Sequence, residues 1–233
     1  MIFKLLNPYY FNKLIIKVIP LLFTSMIFFT GLGLYYALEA SPPDYQQGEM
    51  VRIMYVHVPA SWMALGIYTF MAICSLCNLV WKTTLSFVMA VSSAPIGAAF
   101  CLISMVTGSL WGKPIWGSWW VWDARLTSML VLFLLYISYI VVINSGESMK
   151  RVEKPAAVIA LIGFINIPIV KFSVNIWYSL HQPASVLRLG APAIHYSMLL
   201  PLILMFIGAI LYFLLVLSIR SYTLIYRLKE QNI

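Results

Sequence analysis

Charge is scarce in this sequence. Only 9% of its 233 residues are Asp, Glu, Lys or Arg, against about 25% in an ordinary soluble domain. That shortage, beside a hydrophobic share of 62%, excludes a water-soluble globular protein. Cysteine is scarcer still, with Cys74, Cys77 and Cys101 the whole set, and no disulfide framework is indicated. The C-S-L-C spacing of the first two resembles a redox motif. Its apolar surroundings hold nothing to depress a thiol pKa, so these cysteines read as small packing residues. Internal repeats, low-complexity tracts and strand-like alternation are also missing, and no cleavable leader is expected from the first residues. The first apolar run is long and flanked by lysines, which marks a retained span that also targets the chain.

Apolar sequence is what the chain has in abundance. Six runs reach bilayer-crossing length, approximately 14–38, 58–80, 85–110, 126–143, 156–179 and 196–219. A segment in lipid must satisfy its own backbone polar groups, so runs this long are helices. The expected fold class is an all-α integral membrane protein with six transmembrane helices, a single membrane domain over residues 1–233. The connection 145–155 reads as a polar turn, with Pro155 opening the next helix.

The net charge of +8 does not point to nucleic acid, because the basic residues sit in short loops and tails, where they report orientation. Lys4, Lys13, Lys17, Lys82, Lys150, Arg151, Lys154, Arg220, Arg227 and Lys229 fall on the side of the termini, ten in all. Arg52, Lys113, Arg125 and Arg188 fall on the other, four in all, with Lys171 left out inside the fifth span. Ten against four puts both termini in the cytoplasm, and segments 39–57, 111–125 and 180–195 outside.

The outward segments collect the chemistry. His57 stands two residues before Pro59 at the start of the second span, and His181 two residues before Pro183 at the end of the fifth. Both are expected on the outer rim at matched depth, each beside a proline that stiffens the backbone. A lone rim histidine is an amphipathic side chain at headgroup level; a matched pair beside an aromatic shelf reads as a ligand pair. His195 shares only the depth and reads as structural. The stretch W-G-K-P-I-W-G-S-W-W-V-W-D-A-R-L, residues 111–126, holds five of the chain's eight tryptophans: Trp111, Trp116, Trp119, Trp120 and Trp122. Read as a helix from about Trp116, it puts Trp116, Trp119, Trp120 and Asp123 on one face, lying flat on the membrane between the third and fourth spans. An interfacial aromatic belt is the plain alternative, but belts spread their indoles over several spans.

A planar apolar molecule edged with acid groups and able to take two imidazoles fits this set. Haem is such a molecule: its face stacks on indoles, its iron takes histidine nitrogen, and its propionates suit arginine forks, here Arg52, Arg125 or Arg188. Asp123, which would repel a propionate, reads as a turn cap or a partner of Arg125. Lys171 lies ten residues before His181. It either steadies a helix broken after Pro168 or draws a propionate inward.

At these residues the sequence resembles the tryptophan-rich (WWD) family of haem-handling membrane proteins, and within it the short six-span CcmC group of the cytochrome c maturation system. The block W-G-S-W-W-V-W-D-A-R-L, with W-G-K-P ahead of it, carries the likeness, as do the settings of His57 and of V-K-F-S-V-N-I-W-Y-S-L-H-Q around His181. The resemblance covers essentially the whole chain. It implies a haem-transfer factor rather than a conventional enzyme, in a bacterial or mitochondrial-type inner membrane. Such a factor binds haem b at the periplasmic surface and delivers it to the chaperone CcmE for covalent attachment. It also implies CcmD and the CcmA–CcmB ATP-binding cassette transporter as partners. A haem permease or exporter, and a bis-histidine electron-transfer cytochrome, are the alternatives.

Overall fold

The computed structural model of the chain describes residues 8–146, 148–181, 185, 186, 188 and 190–230, without the side chains of Lys150 and Ile176. Lys4 of the charge count and Pro183 beside His181 lie outside the described residues. Helix dominates, and no strand forms among the described residues. The elements are α1 (Pro8–Tyr35), α2 (Met54–Trp81), α3 (Thr84–Trp116), α4 (Ala124–Ser145), α5 (Met149–Phe164), α6 (Asn166–Ile176) and α7 (Tyr196–Glu230). A π-helical turn, Tyr36–Ala40, extends α1, and a 3-10 turn, Glu49–Ile53, leads into α2. Six stretches are long and apolar enough to cross a membrane, with α5 and α6 sharing the fifth. The expected number and order of spans therefore hold.

Local chemistry sets where these helices stop. α2 and α3 are joined by Lys82 and Thr83 alone: Lys82 adopts the left-handed conformation at φ 51°, and its N–H returns to the Asn78 carbonyl. So short a link makes the two helices antiparallel neighbours. α3 runs on to Trp116 and ends at Gly117, whose φ of 76° suits glycine best. Lys113 donates to the Gly117 carbonyl at 3.0 Å and so neutralises the exposed end of the helix. Asp123 then caps α4, its Oδ1 accepting the Leu126 N–H at 2.8 Å.

Four expectations need correction. No surface helix lies between the third and fourth spans: residues 117–123 are non-helical, because the left-handed Gly117 stops one helix and the Asp123 cap starts the next six positions on. Trp116, Trp119, Trp120 and Asp123 do not share a helix face. The fifth span breaks at Ile165, before Pro168 rather than after it. A proline at 168 cannot donate to the Phe164 carbonyl and collides with it, so the interruption falls one turn upstream. Pro155 does not open its helix either, since α5 begins at Met149.

The core joins α2, α3, α4, α5, α6 and α7. Lipid is as apolar as leucine, so these helices associate through close fit and internal hydrogen bonds rather than through hydrophobic burial. Tyr136 and Tyr68 meet edge to face at 4.9 Å; Tyr136 donates to the Ala64 carbonyl at 2.7 Å and Tyr68 to that of Ile159 at 3.2 Å. Glycine makes room for both rings: a Cβ at Gly97 would stand 2.2 Å from the Tyr136 hydroxyl, and one at Gly163 2.0 Å from that of Tyr68. α3 is the central helix, with 61% of its apolar window buried, while α1 has 6% and packs chiefly along α7. The three cysteines are free, and Cys101 is buried in the core with Sγ directed at the Met129 carbonyl. The stretches 41–53, 117–123 and 177–181 meet at one end of the bundle, where Gln47 reaches Trp111 and His181 reaches Asp123 and Trp116.

Candidate functional site

His57 belongs to the opening turns of α2 rather than to the loop before it. From there its ring crosses to α3. Nδ1 lies 3.0 Å from the Ser104 carbonyl and 3.1 Å from the Thr107 hydroxyl. That hydroxyl donates to the Ile103 carbonyl, and both acceptors therefore require the proton on Nδ1. Gly108 leaves the space, since a Cβ there would sit 2.9 Å from Cε1 of the ring. Ser61 secures the crossing, donating to the His57 carbonyl at 2.9 Å and meeting the Ser104 hydroxyl at 2.6 Å. Trp111 closes the face, edge-on at 5.8 Å. Its indole N–H donates to Gln47 at 2.9 Å, which pins the turn at Asp44–Gly48 over the site.

His181 lies in the non-helical chain after α6, and side chains hold it there. Its Nδ1 is 3.1 Å from Asp123 Oδ2, and its backbone N–H donates to the Ser179 hydroxyl at 3.1 Å. That hydroxyl in turn donates to Asp123 Oδ2. Trp116 packs edge-on against the imidazole at 4.7 Å. Burial lowers the His181 pKa, and Arg125 adds to this; the Asp123 carboxylate opposes it but does not outweigh them. Burial alone would raise the Asp123 pKa, but hydrogen bonds from Ser179, the Leu126 amide and His181 outweigh it and hold the carboxyl below its ordinary value. A neutral imidazole beside an ionised carboxylate results.

His57 meets Trp111 and His181 meets Trp116, two indoles on the last turns of α3, so both imidazoles lie against the same end of that helix. In each ring the polar contacts among the described residues run through Nδ1, and none of them uses Nε2. Among the described residues the buried Arg125 Nε also lacks a hydrogen-bond partner. Such atoms are costly to leave unmatched. The corner thus combines two nitrogen lone pairs with an unfilled arginine N–H, a donor set suited to a metal-centred ligand with acidic edges.

The remaining residues singled out in the sequence divide. Trp119 and Trp120 roof an open apolar groove of about 380 Å³ floored by Leu102, Met105, Val106 and Leu110, on the face of α3 turned away from His57. Trp122 stacks edge-on against Trp120 at 5.6 Å and is 75% exposed. The five indoles are therefore not one shelf: Trp111 and Trp116 each attend one histidine, and the other three lie round the end of α3. Among the arginines, Arg52 pairs with Glu49 and donates to the Ala37 carbonyl, and Arg188 is exposed. Arg125 follows Asp123 by two positions in the first turn of α4, and its Nε is buried. His195 starts α7, its Nδ1 beside the Ser197 hydroxyl at 2.8 Å and its carbonyl accepting the Met198 and Leu199 amides, a structural role as expected.

Sequence reasoning missed the partners that hold the rings. For His57 a signal was present: Ser104, Thr107, Gly108 and Trp111 stand at i, i+3, i+4 and i+7, a small and polar stripe inside an apolar run. For His181 there was none, because Asp123 is 58 residues away.

The profile of the family described as Heme exporter protein C matches residues 1–233. The chain is 46% identical over 209 residues to Heme exporter protein C of Bradyrhizobium diazoefficiens, covering 90% of this chain and 79% of the relative. It is 46% identical over 202 residues to the putative cytochrome c biosynthesis ccmC-like mitochondrial protein of Marchantia polymorpha, with 87% and 86% covered. With Heme exporter protein C of Haemophilus influenzae it shares 42% over 192 residues, 82% and 78% of the two chains.

Proposed function

Because this chain belongs to the heme exporter protein C family, we propose that it holds haem b between His57 and His181 and hands it to the chaperone CcmE. At the coarser level it is a multi-pass membrane protein that takes part in haem handling for cytochrome c maturation. The observation that carries the finer reading is the pair of imidazoles set against the last turns of α3, both anchored through Nδ1 and neither using Nε2 in a hydrogen bond among the described residues. Haem fits the corner. His57 and His181 would hold its iron through neutral imidazole nitrogen, Arg125 would meet a propionate with its unmatched Nε, and Trp111 and Trp116 would border the ring system. Trp119, Trp120 and Trp122 extend the aromatic surface along the rim, where the chaperone would take its load. Arg52 and Arg188 would meet propionates only after leaving their present places.

Haem is cargo here, and the vinyl chemistry of attachment belongs to it and to CcmE. This chain binds, orients and exposes an edge. The site faces the periplasm or its mitochondrial counterpart, with both termini on the opposite side, and the excess of basic residues at the terminal side supports that orientation. CcmD and the CcmA–CcmB transporter complete the assembly.

The test is an absorption spectrum of the protein purified with haem, together with transfer to apo-CcmE. A low-spin bis-histidine spectrum in the ferrous protein is expected, lost in His57→Ala and in His181→Ala, with haem passing to the chaperone. Unchanged spectra in both variants would overturn the ligand assignment. Haem flux through vesicles holding this chain alone would point to a permease, and haem retained against apo-CcmE through repeated redox cycles to an electron-transfer cytochrome.

A further inference from the structure

One carboxylate serves two elements of this fold. Asp123 is 9% exposed, and its two oxygens are divided. Oδ1 accepts the Leu126 amide at 2.8 Å and opens α4, which fixes the group to a membrane-spanning helix. Oδ2 lies 3.1 Å from His181 Nδ1 and accepts from Ser179. The Ser179 hydroxyl, its hydrogen committed to the carboxylate, takes the His181 backbone N–H at 3.1 Å. Side chain and main chain of His181 are therefore bound to the same point on α4, although fifty-eight positions separate the two residues.

We propose that Asp123, seated by Ser179, is the positioning residue of this site: it fixes the His181 imidazole with its proton on Nδ1 and presents Nε2 as the metal-binding atom. The proposal rests on the haem reading above and adds to it the group that makes His181 a ligand. An ionised carboxylate only accepts, so Nδ1 must donate; a neutral imidazole carries one proton, so its lone pair is then on Nε2. A carboxylate behind a ligating histidine also raises its donor strength. His57 is oriented the same way by uncharged acceptors, the Ser104 carbonyl and the Thr107 hydroxyl. The two ligands are thus unequal, with His181 the stronger.

Asp123→Asn tests this directly. The amide matches the carboxylate in size but brings one acceptor where two are needed, so it cannot serve both the Leu126 amide and Nδ1–H. Haem affinity is expected to fall about tenfold or more, the usual effect of removing such a partner. The reduction midpoint of the loaded protein should move to higher potential as the ligand weakens. Asp123→Ser supplies an oxygen for the cap yet is too short for the ring, and should behave alike while keeping the thermal midpoint of the empty protein. Ser179→Ala leaves the cap untouched and should lose about fivefold, one ordinary hydrogen bond, with a smaller shift of potential in the same direction. Wild-type affinity and potential in Asp123→Ser, beside loss of ligation in His181→Ala, would overturn the positioning role and leave the haem reading intact. A His181→Ala protein with an unaltered spectrum would overturn the reading itself. Should both Asp123 variants fail to fold, an unchanged potential in Ser179→Ala overturns the proposal.

Discussion

At the scale of single residues, the site depends on what is missing as much as on what is present. His57 reaches the Ser104 carbonyl only because Gly108 has no side chain, a Cβ there falling 2.9 Å from the ring. Gly108→Val should displace the imidazole, lower haem occupancy and cost about 1–3 kcal/mol through overpacking. Gly66→Val, on the neighbouring helix where a Cβ meets nothing within 4 Å, is the matched control. Occupancy by pyridine haemochrome and thermal midpoints by scanning fluorimetry would check both; equal losses at 66 and 108 would refute the steric account. The histidines and the tryptophan density were readable in sequence because the residue types are rare and their chemistry narrow. Asp123 was readable as a cap, since the aspartate stands just ahead of an apolar run. Its second partner was not, because no spacing rule links residue 123 to residue 181.

At the scale of elements, the tryptophan segment shows where periodicity misleads. The residues 116, 119, 120 and 123 have helical spacing, yet Gly117 at φ 76° ends one helix and Asp123 begins the next. Stop and start signals outrank a periodic set of four when only five residues separate them. Gly117→Ala should destabilise the protein by about 1 kcal/mol, the cost of a left-handed non-glycine residue, and alter the fluorescence of the exposed Trp119, which is 56% accessible. An unshifted emission maximum and melting point would show that the stop is set elsewhere. The fifth span offers a parallel case. Pro168 signalled an interruption, but its position follows from the carbonyl one turn upstream. There Asn166 turns inward and donates to the Ser128 carbonyl at 2.8 Å. Asn166→Leu removes that tie between α6 and α4 and should lower stability by about 1 kcal/mol, measurable by urea or heat in a fixed detergent.

At the scale of the whole molecule, six spans were legible because bilayer thickness imposes length and polarity on each run independently of its neighbours. The order in which the spans pack was not, since lipid-facing and core-facing leucines look alike. What decides packing is the placement of small residues. α1 lies along α7 through Gly33, whose Cβ would stand 3.0 Å from Met205, and Gly208, whose Cβ would meet Thr30 Oγ1 at 2.5 Å. Gly208→Leu should detach α1 from the bundle, exposing it to protease in detergent, while Gly31→Leu, which faces open space, should not. Orientation is tested by reporters: a C-terminal green fluorescent protein should fluoresce, and a phosphatase fused there should stay inactive. The opposite pattern would invert the placement of the site.

The two imidazoles are mounted differently. One is borne by a stiff hairpin, α2 and α3, whose two-residue link keeps its arms in register. The other sits outside any helix, tied to the frame by one aspartate and one serine. In the proposed haem reading a clamp built this way would have one jaw on a helix and one off it. Breaking the two polar contacts to Asp123 would then free the second, so unloading would demand no rearrangement of the surrounding bilayer.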